Sequence, residues 1–153
     1  MYEISSKSSD DTKSLARRLS KLLRGGEVIE LVSDLGGGKT TFVQGLAEGF
    51  GYRGAVTSPT FTLSQIYPVT PSLELHHYDL YRLTEGGVLG EELLEDAGAD
   101  HVVTVIEWPG LIEASLPDDR LLIEIELTAD DERSLRFRGL GPSSLALVKE
   151  LAS

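Results

Sequence analysis

Ser33-Asp34-Leu35-Gly36-Gly37-Gly38-Lys39-Thr40 lies between an apolar run at residues 28–32 and a segment of helical spacing that starts at Thr40. The string follows the phosphate-loop pattern Gly-x4-Gly-Lys-Thr except at its first position, where Ser33 stands in place of glycine. Each residue type has a chemical task. Glycines let successive backbone N–H groups converge on phosphate oxygens, and the N-terminus of the following helix adds the positive end of its dipole. Lys39 is placed to neutralise the β- and γ-phosphates of a nucleoside triphosphate, the Thr40 hydroxyl to ligate Mg²⁺, and Thr41 to reach an α-phosphate oxygen. The bland alternative is a glycine-rich strand-to-helix turn that happens to precede Lys-Thr.

Such a loop needs acidic partners for the metal and the attacking water. Asp79, in HHYDLYRL, and Glu107, in VVTVIEW, each end an expected strand, the arrangement by which a sheet aims a carboxylate at a cation beside the loop. Alone, a strand-terminal acid is usually a solvated end; beside a phosphate loop both acquire a function. Ser58-Pro59-Thr60-Phe61 occupies the place of a γ-phosphate-sensing switch, on spacing alone. His76 and His77 face opposite sides of a strand, which argues against a shared metal. Trp108 is either core packing or a surface near the nucleotide, and Asp130-Asp131-Glu132 reads as a solvated turn.

The elements that must position these groups follow from periodicity. Residues 8–23 read as an amphipathic helix with Leu15, Leu19, Leu22 and Leu23 on one face, capped by Ser8 or Ser9 and stopped by Gly25-Gly26. Residues 28–32 read as a buried strand, and 40–50 as a helix with Phe42, Leu46 and Phe50 stacked. Residues 56–63 are β-like although Pro59 breaks a central strand; 65–67 is a short strand before a turn at 68–71; 75–80 is a strand; 91–96 belong to a short helix after a turn at Gly86-Gly87. Residues 102–106 form the most continuous apolar run and predict a central strand covered on both faces. Residues 121–127 alternate and predict a half-exposed strand in a hairpin with 134–138, before a closing helix at 143–151. The expected fold is α/β, a P-loop NTPase-like mixed sheet flanked by helices with a C-terminal antiparallel hairpin.

Composition narrows the classes. With 153 residues the chain fits one domain, and folding buries roughly 70% of the unfolded surface at this size. The absence of cysteine excludes disulfides, thiolate zinc sites and cysteine nucleophiles. No apolar stretch approaches the roughly 20 residues of a membrane span, so a cytoplasmic protein is the expectation. A net charge of −11 argues against a stand-alone binder of DNA or RNA.

The strings DLGGGKTTFVQGLAEGFG, SPTF, HHYDLYRL and IEW, in that order, resemble the TsaE family, bacterial P-loop ATPases of tRNA threonylcarbamoyladenosine synthesis. The resemblance spans about residues 12–133, and the family usually reads Gly-Asp/Glu-Leu-Gly-Ala-Gly-Lys-Thr, from which Ser33 and Gly37 depart. It implies one P-loop ATPase domain over residues 1–153, with ATP or ADP and Mg²⁺ as its cofactors. Leu35, Gly36, Gly37, Gly38, Lys39, Thr40 and Thr41 would bind phosphates, Thr40 and Glu107 the metal, and Thr12 and Arg133 the base and ribose side. Lys39, Asp79 and Glu107 would be the catalytic set, and residues 58–61 the switch-like segment. The implied partners are TsaD with TsaB, which transfer the threonylcarbamoyl group to adenosine, so that tRNA is met only indirectly.

The residues leave rivals. A GTPase is disfavoured because the chain contains no asparagine and its only Thr-Lys, at Thr12-Lys13, is not followed by x-Asp. A small-molecule kinase would need an arginine-bearing lid that residues 85–100 do not supply. A nucleotide-sensing module with little turnover is compatible with Ser33. The few arginines near the motifs, Arg82 being the best placed, predict slow hydrolysis without a partner.

Overall fold

The computed structural model of the chain describes residues 1–34, 36, 38–59, 62–81 and 87–153. The elements are β1 (Tyr2–Ser6), α1 (Ser9–Ser20), β2 (Val28–Ser33), α2 (Lys39–Gly49), β3 (Ser64–Thr70), β4 (Leu73–Asp79), α3 (Gly87–Asp96), β5 (Val102–Glu107), a 3₁₀ turn (Gly110–Ser115), β6 (Leu121–Leu127), β7 (Arg133–Gly139) and α4 (Pro142–Ala152). Seven strands form one sheet in the order β1-β7-β6-β2-β5-β4-β3. The pairs β2–β5, β2–β6 and β4–β5 are parallel, whereas β1–β7, β6–β7 and β3–β4 are antiparallel. The expected mixed α/β sheet with its late hairpin is therefore present.

Alternation along the strands divides the core in two. Ile29, Leu31, Leu75, Val103, Val105, Ile123 and Phe137 pack with α1, α2 and α4, while Val28, Tyr78, Ile106 and Leu93 of α3 form a smaller cluster on the other face. Burying each such large apolar side chain is worth roughly 1.5–3 kcal/mol. Strand β5 is buried along its whole length between β2 and β4, as its unbroken apolar run predicted. Glu30 interrupts the apolar face of β2, and the Nε of Arg120 donates to its carboxylate at 2.8 Å.

Helix α1 is capped by Ser8, whose hydroxyl accepts from the Asp11 N–H at 3.1 Å. It approaches α2 closely because Gly45 and Gly49 carry no side chain. A Cβ on Gly45 would lie 2.7 Å from both the Ala16 Cβ and the Lys13 carbonyl oxygen. This contact holds α2, and the loop before it, against the rest of the core. Helix α4 begins at Gly141-Pro142, which offers no side-chain cap, and Asp119 substitutes from outside the helix. Its carboxylate accepts from the Ser143 and Ser144 N–H groups at 2.8 and 3.0 Å and from the Ser144 hydroxyl at 2.6 Å.

Several expectations are corrected. Strand β1 has no apolar run to announce it, because it is an outer strand with only alternate residues turned to the core. Strand β3 continues through Pro68 to Thr70, so the turn expected at 68–71 shrinks to residues 71–72. β3 is the opposite edge of the sheet, where a residue without an N–H is tolerated. Residues 56–59 and 62–63 are not strand. Helix α3 starts at Gly87, which was expected in the turn before it.

Candidate functional site

Parallel pairing sends the C-terminal ends of β2, β4 and β5 to one edge of the sheet, so Ser33, Asp79 and Glu107 finish together. Leu31 pairs with Glu107, and Asp79 pairs with Glu107 in register. Ligands of open parallel sheets bind beyond this edge. A groove of about 550 Å³ lies at the other end of the same strands, lined by Val28, Leu121, Gly25, Gly98 and Glu150, and no predicted site residue reaches it.

The chain turns from β2 into α2 through the predicted loop. Gly36 and Gly38 have φ of +79° and +104°, values at which a side chain is strained, so glycine is required at both for the turn itself. Ser33 is not in that region: it is the last extended residue of β2, paired with Ile125, and its hydroxyl donates to the Asp34 carbonyl at 3.0 Å. The missing first glycine is therefore not needed for backbone geometry here. Leu35 and Gly37 lie outside the described residues.

Helix α2 starts at Lys39 with no side-chain cap from Gly38, and its first turn presents Lys39, Thr40 and Thr41 at the loop. Uncapped N–H groups at such an end, together with the dipole, favour an anion. The Lys39 ammonium curls back into the loop, donating to the Ser33 and Asp34 carbonyls at 3.3 and 3.4 Å. It also stands 5.4 Å from the centre of the Trp108 ring. This settles the place of Trp108: it is an exposed residue at the loop rather than core packing, with φ of +54° and its ring 5.1 Å from that of Tyr81.

Both acids are buried. The Asp79 carboxylate accepts from the Tyr81 N–H at 3.1 Å, and its own N–H donates to the Leu63 carbonyl at 3.0 Å. Leu63 in turn donates to the Pro59 carbonyl at 2.6 Å, so the switch-like segment is tied to the strand end that carries Asp79. Thr60, Phe61 and Arg82 lie outside the described residues. Glu107 meets His77, whose Nε2 is 2.9 Å from the Glu107 Oε1. The sequence pattern alone assigns His77 no role, because two adjacent histidines on opposite strand faces cannot share a metal. The opposite faces are correct, since His76 turns instead to Glu74 and Tyr78. The signal that does mark it is alternation, which puts His77 on the same face of β4 as Asp79.

Arg133 opens β7 at the same edge, and its Nε is 2.9 Å from where a Cβ on Gly38 would stand. Ser6 pairs with Arg133 across β1 and β7, and the Ser6 and Thr12 hydroxyls are hydrogen-bonded at 2.7 Å. The structure thus brings Arg133 against the loop and Thr12 to its neighbour, with the Thr12 side chain buried rather than lining open space.

A divalent metal can be tested on donor chemistry. Thr40 and Glu107 offer hard oxygen atoms, and among the described residues no group of three His, Cys, Asp or Glu side chains could cage an ion. One carboxylate and a hydroxyl beside a phosphate loop suit Mg²⁺, which usually keeps waters and takes phosphate oxygens instead of a full protein cage. The residues fit that ion.

Comparison with known proteins identifies the family and the fold. The family described as "Threonylcarbamoyl adenosine biosynthesis protein TsaE" matches residues 6–135. The chain is 39% identical over 148 residues to the tRNA threonylcarbamoyladenosine biosynthesis protein TsaE of Bacillus subtilis, covering 94% of this chain and 89% of that protein. It is 44% identical over 135 residues to the protein of the same name from Streptomyces coelicolor, with 84% and 90% covered. The crystal structure of Bacillus subtilis YdiB superposes with a TM-score of 0.82 at 34% identity, covering 99% of this chain and 93% of that one. With the match running from the end of β1 into β7 and so through the loop and both acids, the chain belongs to the TsaE family of tRNA threonylcarbamoyladenosine biosynthesis proteins.

Proposed function

We propose that all 153 residues form one P-loop ATPase domain that binds ATP with Mg²⁺ and hydrolyses it, slowly alone and faster with the partner pair TsaD and TsaB. On this reading the turnover supports threonylcarbamoyl transfer to tRNA adenosine. The observation that supports it most is the shared edge: a positive-φ glycine loop with Lys39 inside it, flanked by Asp79 and Glu107 in register. The α2 N-terminus and Lys39 bind phosphate oxygens, while the Thr40 hydroxyl and Glu107 carboxylate hold the metal. The metal, when bound, supplies charge neutralisation on the phosphates. Asp79 acts on the attacking water, and Arg133 lies against the loop on the nucleotide's sugar side.

The net charge of −11 supports a role toward proteins rather than a direct grip on tRNA or DNA. Among the described residues no helix is long and apolar enough to cross a membrane, and we place the protein's work in the cytoplasm. Partner dependence follows from electrostatics, because an arginine supplied in trans is typically worth ~10³–10⁵ in rate.

Calorimetric titration of Mg·ADP and of a non-hydrolysable ATP analogue into wild type and Lys39→Ala tests the first step. Binding by the wild type that the variant loses, with none for GDP, supports an adenine-nucleotide site. Phosphate release that TsaD and TsaB leave unchanged would overturn the partner-dependent part.

A further inference from the structure

His77 sits in the middle of the face of β4 that ends at Asp79, opposite Val105 in register, and is fully enclosed. Among the described residues, its hydrogen-bonding neighbour is Glu107, through the 2.9 Å contact between Nε2 and Oε1. The other ring nitrogen, Nδ1, is buried and has no hydrogen-bond partner among the described residues. Its sequence neighbour is bonded quite differently: His76 approaches Glu74 and the Tyr78 hydroxyl at 3.4 Å on the opposite face.

The bonding assigns the tautomer. A carboxylate oxygen can only accept, so Nε2 must carry the hydrogen for the bond to exist. In the neutral ring Nδ1 is then a lone pair, so that the unpartnered buried atom is an acceptor and no N–H is stranded. The consequence falls on Glu107. A glutamate has three side-chain torsions to order, and the imidazole clamps one carboxylate oxygen while leaving the second outside that bond. The imidazole is itself held rigidly, since it is enclosed in the sheet rather than placed on a loop.

We propose that His77 is a positioning residue, which orients the Glu107 carboxylate toward Mg²⁺ by donating from Nε2 to Oε1. The proposal rests on the magnesium–nucleotide reading of the site given above. Groups that hold a ligating carboxylate or imidazole in place typically contribute about 10–100-fold to metal affinity.

The test uses Mn²⁺ as the probe, with its uptake in the presence of ADP followed by electron paramagnetic resonance. The proteins are full-length wild type, His77→Gln and His77→Asn. Glutamine can place an amide N–H near the position of Nε2, whereas asparagine reaches only the position of Nδ1. The expected result is Mn²⁺ affinity close to wild type for His77→Gln and about 10–100-fold weaker for His77→Asn, with metal-free ADP binding the same in all three. In a Glu107→Ala background His77→Asn should cause no further loss. Equal affinities for the two variants, or an undiminished effect without Glu107, would overturn the proposal while leaving the magnesium–nucleotide reading intact. A wild type that takes up no Mn²⁺ with ADP overturns both. Should His77→Asn fail to fold, ¹⁵N spectra of the wild-type imidazole decide: a hydrogen on Nε2 supports the clamp, and one on Nδ1 alone refutes it.

Discussion

The Nε atom of Arg133 lies 2.9 Å from the point where a side-chain carbon on residue 38 would stand, so the first residue of β7 closes over the last glycine of the phosphate loop. Gly38 also has φ of +104°, and a non-glycine residue held in such a region costs about 1–3 kcal/mol. Gly36 shares the positive φ but has no atom within 4 Å of a built Cβ. Gly38→Ala should therefore lower the urea midpoint more than Gly36→Ala. Adding Arg133→Ala should restore part of the Gly38→Ala loss, as residues in contact couple. Full additivity of the two changes would show that the contact carries no energy.

Asp79→Asn separates chemistry from binding. The asparagine Oδ1 can still accept from the Tyr81 N–H, now at 3.1 Å, so the strand end stays in place. Calorimetry should give ADP affinity near that of the wild type, while partner-stimulated phosphate release falls by ~10²–10⁴. A variant that no longer binds ADP would instead assign Asp79 to the metal or to the fold.

Gly45→Ala sets helix propensity against packing. Alanine is favoured over glycine within a helix by roughly 1 kcal/mol. Here the added methyl would meet the Ala16 Cβ and the Lys13 backbone at 2.7–2.8 Å, and overpacking typically costs about 1–3 kcal/mol. Because two of those atoms are backbone, α1 must move as a whole, and the variant should be less stable in urea than the wild type. A higher midpoint would mean that the helix pair separates at negligible cost.

Asp119 predicts an acid-dependent loss. The Ser144 hydroxyl, opposed by partial burial and helped by the Ser144 and Ser143 N–H groups, lowers its carboxyl to about 2. A depressed folded-state value means that the cap contributes fully above the ordinary carboxylate range, near pH 4, and fades as the pH falls toward 2. Asp119→Ala should cost about 0.5–2 kcal/mol at neutral pH, the usual range for an N-cap. Urea titrations of both proteins at descending pH should show the gap narrowing below about pH 4. A gap independent of pH would place the effect in packing instead of in the charge.

What the sequence determined alone was local. The loop from Ser33 to Thr40 is contiguous, and its glycines, lysine and threonine carry their meaning within one turn of chain between a strand and a helix. The hairpin of β6 and β7 was likewise legible, because period-2 alternation and a short polar turn are written in neighbouring residues. Strand β1 was not: it is an outer strand without an apolar run, and its partner lies more than 125 residues away. The same limit hid the relationships that define the site. That Asp79 stands beside Glu107, that His77 holds Glu107, that Trp108 faces Lys39 and that Arg133 covers Gly38 all depend on strand order and register. Register is set by how the whole sheet buries its faces between α1, α2 and α4 on one side and α3 on the other, and no local stretch of sequence contains that balance.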